Sequence, residues 1–261
     1  NSFHKTMLQS YLKIALRSLR ANVLYTAINV GGLSVGVAAC IVMLLYVHHE
    51  YTFDAFHPDA ERVYRIVSHI RLNTDEPITS QEVSGVMADE LRAAFPDDIE
   101  SVVRYEDGLT ALVRKGDVSV YEENHIAYAD PTLFTRFRFP IVHGSANALS
   151  QPTNIVLTAQ AARKYFGKTN VVGEHLRLKL EENSIKEELM EYRIGAVLED
   201  LPSNTFVHAD IFLSFEIPIQ KFRRNFPDGH LWNNIYAQTF LKLRAVNGSS
   251  AATVLSERMS V

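Results

Sequence analysis

The chain has 261 residues, with 26 lysines and arginines against 30 acids, and its mildly acidic net charge of −4 gives no basis for a nucleic-acid surface. Aromatic residues make up 10% of it and are spread along its length, which argues against disorder. The single cysteine, Cys40, rules out an internal disulfide, so the fold must be held by an apolar core.

Taken in chain order, Leu8, Tyr11, Leu12, Ala15, Leu16 and Leu19 recur at helical spacing, with Gln9, Ser10, Lys13, Arg17 and Arg20 on the other face. This predicts an amphipathic helix over 7–21 lying on the cytoplasmic membrane surface, with Lys13, Arg17 and Arg20 meeting anionic headgroups. No charged residue occurs from Ala21 to Val47. About 20 apolar residues suffice to cross a bilayer, so 22–47 is predicted to be a transmembrane helix. A cleaved signal peptide would have an apolar core of only about 7–15 residues and a small-residue cleavage site. The run here is longer and ends in Leu44-Leu45-Tyr46-Val47. Lys5, Lys13, Arg17 and Arg20 precede it and Glu50 and Asp54 follow, which predicts a cytoplasmic N-terminus and an exported remainder. Within the span Gly32, Gly36 and Cys40 recur every four residues, a ridge of small side chains on which another helix can pack.

The stretch 48–58 leaves the membrane. His48, His49 and Glu50 are adjacent on a helix and point in different directions, so they read as interfacial polar residues rather than a metal site, and His57-Pro58 reads as a turn. Tyr51, Phe53, Phe56 and Pro58 are expected to stiffen this connection by packing at the interface and restricting the backbone. Beyond it the chain reads as mixed α and β. Alternation predicts a strand over 64–72, helical spacing a helix over 83–95 closed by Pro96, and a second strand over 99–105 completes a strand–helix–strand unit. A short helix is predicted between Thr158 as N-cap and Gly167 as C-terminal stop, with strands over 176–180 and 192–198. The pattern restarts with a strand over 239–244, a turn at Asn247-Gly248-Ser249 and a helical stripe of Ala251, Val254, Leu255 and Met259. Such a unit normally returns to its sheet, so the chain is expected to continue past residue 261 in the intact protein.

Catalytic, cofactor-binding and metal residues are not predicted. The sequence has no G-x-x-x-x-G-K-[ST] loop to cradle a nucleotide phosphate. Glu122-Glu123, Glu181-Glu182, Glu187-Glu188 and Glu191 lack the Asp/Gly spacing of a calcium loop and read as solvated faces. Trp232-Asn233-Asn234 reads as a packed tryptophan entering a strand.

Ordered motifs carry a family resemblance. Ala15-Leu16-Arg17-Ser18-Leu19-Arg20-Ala21-Asn22 and Ile28-Asn29-Val30-Gly31-Gly32-Leu33-Ser34-Val35-Gly36 resemble the first membrane helix of MacB/FtsX-type ABC transporter permeases. Residues 48–261 resemble the MacB-like periplasmic core domain of the Bacteroidota type. The matching motifs are Phe53-Asp54-Ala55-Phe56-His57-Pro58-Asp59-Ala60-Glu61-Arg62-Val63-Tyr64-Arg65, Tyr128-Ala129-Asp130-Pro131-Thr132-Leu133-Phe134 and Pro152-Thr153-Asn154-Ile155-Val156-Leu157-Thr158. Ala162-Arg163-Lys164-Tyr165-Phe166-Gly167 and Val197-Leu198-Glu199-Asp200-Leu201-Pro202-Ser203-Asn204 complete the set. The resemblance implies an α+β fold, in which one transmembrane helix precedes a two-lobed periplasmic domain. Residues 61–105 and 236–261 would form a strand–helix–strand lobe, and roughly 110–230 an inserted β-rich lobe. It also implies an N-terminal fragment of a permease of the mechanotransmission class in the bacterial inner membrane. By the same resemblance, residues 1–6 precede the family's usual start at Met7 and read as an upstream extension or a translation-start artefact, and the later membrane helices are expected beyond residue 261. The implied partners are a cytoplasmic ABC ATPase, a homodimer mate or second permease, and a periplasmic membrane-fusion protein. The implied work is export or extraction of a hydrophobic or amphipathic cargo, the alternative being a non-transporting relay that activates a periplasmic cell-wall hydrolase.

Overall fold

In a computed structural model of the chain, structure is described for residues 7, 11, 13–14, 17–54, 59–70, 78–115, 119–137, 139–180, 189–226, 232 and 235–244. The chain divides into two compact units, Asn1–Phe53 and Asp54–Val261.

The first unit is dominated by helix α1 (Val23–Tyr51), whose 29 residues are long and apolar enough to cross a membrane. None of its residues is buried, as expected of a helix whose apolar surface runs all round it. Ser34 donates to the Val30 carbonyl of the same helix at 2.6 Å, and Thr26 reaches back across the turn to the Leu19 carbonyl at 3.1 Å. Every described residue of 7–21 is helical, and a turn at Asn22 separates that stretch from α1.

The second unit is sheet-rich. In chain order it contains β1 (Val63–Arg65), β2 (Ser68–Ile70), β3 (Ile78–Ser80), β4 (Val83–Ser84), α2 (Met87–Ala94), β5 (Ile99–Lys115), β6 (Ser119–Ala129), α3 (Thr132–Arg136) and β7 (Ile141–Gly144). There follow β8 (Asn154–Thr158), α4 (Ala159–Phe166), β9 (His175–Leu180), β10 (Met190–Leu198), β11 (Ile211–Ser214), α5 (Glu216–Asn225) and β12 (Ile235–Leu243). Apart from the β2–β3 hairpin, the strands form one sheet in the order β1-β12-β5-β6-β11-β8-β10-β7, with β4 added on β12. Because β9 pairs with both β10 and β5, the strands β5, β6, β11, β8, β10 and β9 close into a ring.

Alternation of side chains across the sheet places two cores on its opposite faces. Ile126 and Tyr128 of β6 join Ile155, Leu157, Leu178, Ile194 and Leu213 in one core, covered by Ala161, Ala162 and Tyr165 of α4. Ala127 and Ala129 join Tyr105, Val156 and Phe212 in the other, beneath Phe134, Phe137 and Phe139. A third cluster seats Ala88 and Leu91 of α2 on Val102 and Leu241. The strands of the predicted first lobe and those of the inserted region share this sheet through β5, which runs from one region into the other.

Arg104, on β5, is the buried polar node of this unit. Its backbone N–H and its Nε donate to Asp130 Oδ2 at 2.9 and 3.0 Å, and its Nη2 donates to Asp130 Oδ1 at 2.8 Å. The guanidinium also reaches the Gly85 carbonyl and Glu216 and lies over the Phe215 ring.

Helix α4 matches its prediction: Thr158 Oγ1 accepts from Ala161 N at 3.2 Å, and Gly167 ends the helix with φ of 71°. Other boundaries differ. The helix predicted from 83 begins at Met87, because Val83 and Ser84 pair with β12. The strand predicted over 64–72 divides into β1 and β2. Strand β5 continues ten residues past 105, held on both sides by β6 and β9. The turn at 247–249 and the helix at 251–259 lie outside the described residues.

Candidate functional site

The second unit begins at Asp54, and both sides of the segment 55–58 are tied into it. Asp54 sits in the left-handed region with φ of 55°, which aspartate tolerates better than most side chains. Its N–H donates to the Asn204 carbonyl at 2.9 Å, and its Oδ1 accepts from Phe206 N at 3.1 Å. Asp59, with φ of 64°, pairs through Oδ2 with Arg62 and with Lys242, each at 2.9 Å. Arg62 and Lys242 also meet the two oxygens of Glu100 at 3.0 and 3.2 Å, and Arg62 donates to the Leu243 carbonyl. Two acids and two bases thereby link the turn before β1 to β5 and β12. Hydrogen bonds from Lys242 and then Arg62 hold the Asp59 carboxyl below the usual carboxylate range. Burial would raise Glu100, but the same two cations outweigh it and hold it low.

The partner of Asp54 is a strap, residues 199–210, stretched between β10 and β11. Asp200 Oδ1 accepts from Gln160 N at 2.5 Å in the first turn of α4, and its other oxygen pairs with Arg163. Phe206 stands edge-on to Tyr105 with ring centroids 5.8 Å apart and overlies Phe240 at 4.3 Å. His208 N donates to the Tyr105 hydroxyl at 3.1 Å, and burial keeps that phenol far above its ordinary pKa and therefore neutral. At the far end Thr158 Oγ1 donates to Asp210 Oδ1 at 2.8 Å, and Asp210 N donates to the His125 carbonyl. The strap therefore joins the first residue of the unit to α4, β5, β6 and β12.

Beneath the strap lies a cavity of about 340 Å³ lined by His125, Thr158, Asp200, Pro202, His208 and Asp210. Next to it Glu123, His125 and Asp210 bring their ligand atoms within 4.8 Å of one another. A register shift between β5 and β6 aims Glu123 toward α4, where Lys164 Nζ reaches its Oε2 at 2.6 Å and the Tyr165 hydroxyl donates to it at 2.8 Å. Burial alone would raise the Glu123 carboxyl, but Lys164 and then Tyr165 outweigh it and hold it ionised below the usual range. The expectation of a solvated face is corrected for Glu123, which is 5% exposed. Trp232 is 50% exposed rather than packed.

Of the residues singled out in the sequence, Lys13, Arg17 and Arg20 are helical and exposed. Gly32, Gly36 and Cys40 lie along α1, and a Cβ added at either glycine would meet nothing within 4 Å. Tyr51 is exposed, and the Phe53 ring stands edge-on to that of His49 at 6.4 Å. Phe56 and Pro58 lie outside the described residues, as do Glu181, Glu182, Glu187 and Glu188. Asp59, Arg62, Glu100 and Lys242 had no assigned role in the sequence, and Asp54 counted there only toward the charge asymmetry. Asp54, Asp59 and Arg62 fall in one of the quoted motifs, and Asp200 and Asn204 in another.

A family model described as the MacB-like periplasmic core domain matches residues 26–257. Among solved structures, a domain described as part of a permease protein from Porphyromonas gingivalis is similar at 23% identity and a TM-score of 0.59, over 78% of this chain and 81% of that one. The periplasmic region of MacB from Actinobacillus actinomycetemcomitans is similar at 14% identity and a TM-score of 0.50, over 76% and 82%. Both likenesses bear on the fold. No curated protein matches the chain.

Proposed function

The chain belongs to the MacB-like periplasmic core domain family of ABC transporter permease components, and from that premise we propose that it couples ATP hydrolysis in a separate cytoplasmic subunit to movement of its exported domain. In this reading α1 crosses the inner membrane with its N-terminus in the cytoplasm. Lys13, Arg17 and Arg20 hold the preceding helix to the headgroups. The ridge of Gly32, Gly36 and Cys40 packs against a helix of a second permease. Tyr51, Phe53, Phe56 and Pro58 stiffen the connection, and the work done is on a hydrophobic or amphipathic cargo outside the cytoplasm.

The observation that carries this reading is the anchoring at Asp54 and Asp59 on either side of the connecting segment. A flexible joint would absorb displacement, whereas a joint fixed at both sides passes it to the strap and to β5 and β12. The test is to insert a Gly-Ser linker of about six residues between Phe53 and Asp54 of the full-length permease, ahead of the first contact with the strap. Complex assembly and ATP hydrolysis should persist while transport is lost. Full transport in the insertion mutant would reduce the segment to a tether and end the mechanical reading.

A further inference from the structure

We propose that Glu123, His125 and Asp210 form a binding site for a divalent transition-metal ion of the zinc type, open on one side to the cavity beneath the strap. The donor set is one imidazole and two carboxylates, the ligand types zinc takes, and three protein ligands leave a fourth position for water. His125 Nδ1 and Asp210 Oδ2 are 3.4 Å apart. That is close to the ~3.4 Å edge of a tetrahedron around an ion bonded at about 2.1 Å.

Each carboxylate is already oriented from behind. Tyr165 and Lys164 occupy Glu123 Oε2, which leaves Oε1 on the side of His125, where among the described residues it receives a 3.4 Å contact from the His125 N–H. The Thr158 hydroxyl occupies Asp210 Oδ1, which leaves Oδ2 facing the imidazole. Metal-binding carboxylates and histidines are commonly held in this way by outer hydrogen bonds. The Lys164 ammonium offsets one of the two negative charges, so the site is tuned to a modest affinity rather than to a permanently held ion. His125 has a side chain 63% exposed and free to swing the short distance that three-fold convergence needs. An ion here would cross-link β6 to the end of the strap at the base of β11.

The test uses the full chain in detergent or nanodiscs, titrated with zinc chloride by calorimetry and with cobalt(II) by its visible absorption bands. One saturable equivalent is expected. His125→Ala and Asp210→Asn should each weaken it at least about tenfold, whereas a His48→Ala/His49→Ala double variant should leave it intact. Magnesium in excess should not displace it, because a site with an imidazole ligand does not suit that ion. Should Asp210→Asn fail to fold, His125→Ala and His125→Gln at the exposed position decide the matter. Absence of saturable binding, equal binding in the His125 variants, or displacement by magnesium would each overturn the proposal.

Discussion

Replacing Asp54 separates the two contributions that hold the start of the sheet-rich domain. Its carboxylate accepts a hydrogen bond from Phe206 N at 3.1 Å, and its backbone sits at φ of 55°. A hydrogen bond to a charged group contributes about 1.5–3 kcal/mol, and the half-buried setting of Asp54 places it near the lower figure. The left-handed conformation adds about 1–2 kcal/mol for an ordinary L-residue, little for asparagine and nothing for glycine. Asp54→Asn keeps an acceptor and tolerates the backbone, so it should behave nearly as the native residue. Asp54→Gly loses the hydrogen bond to Phe206, about 1.5 kcal/mol, and Asp54→Ala loses that and strains the turn, about 3 kcal/mol for the two together. The readout is hydrogen–deuterium exchange of the Phe206 amide within a peptide spanning the strap, which reports local opening without requiring global unfolding. Protection should fall roughly tenfold for glycine and roughly a hundredfold for alanine, since about 1.4 kcal/mol is a factor of ten. Equal protection in all four proteins would refute the clamp, and with it the claim that displacement enters the domain through the strap.

Asp130→Ala leaves the buried Arg104 guanidinium with the Gly85 carbonyl and, as counter-charges, the exposed acids Glu216 and Asp89, and should destabilise the domain by about 3 kcal/mol. For a domain of this size that is a fall of about 6–12 °C in Tm, and a change under about 2 °C would contradict the assignment. Glu123 is held below its ordinary pKa of 4.5, so its contribution is complete above that value and is lost as pH falls through the folded-state pKa. The Tm gap between native protein and Glu123→Gln should therefore be widest near neutrality and shrink below about pH 4.5; a gap constant with pH would count against the ion pair. Gly36→Leu should impair permease dimerisation in membranes, measured by cross-linking, while leaving exchange in the exported domain unchanged, and unaltered dimerisation would assign the ridge to lipid. Alkaline phosphatase fused after Arg244 should be active, whereas an inactive fusion whose fluorescent-protein counterpart glows would reverse the topology.

What the sequence reveals depends on how local the cause is. Helix α4 is readable because its cap, apolar stripe and terminating glycine lie within ten residues, and α1 because its composition alone suffices. Strands β8 and β11 went unpredicted. Ile155-Val156-Leu157 and Ile211-Phe212-Leu213 are covered on both faces, so they show no alternation, and a short apolar run does not distinguish strand from helix. Glu123 reads as one of several surface acids because its burial is created by Lys164 and Tyr165, some forty residues on, and by a shift in strand register. The strap was visible only as a motif at 197–204. Its role emerges when Asn204 is seen to accept from Asp54, a pairing across 150 residues that no local pattern encodes.

The pairing of β1 with β12 joins Val63 to Lys242, and β12 also completes the edge of β5. During synthesis these partners emerge roughly 10–40 s apart at about 5–20 residues per second. For that interval β1 and the first half of β5 present open ladders, and the Asp59 and Glu100 carboxylates lack the lysine that later joins them. Such exposed edges are prone to pairing with the wrong chain. This edge of the sheet therefore stays incomplete until β12 is delivered, and the period before it is when a chaperone would have most effect.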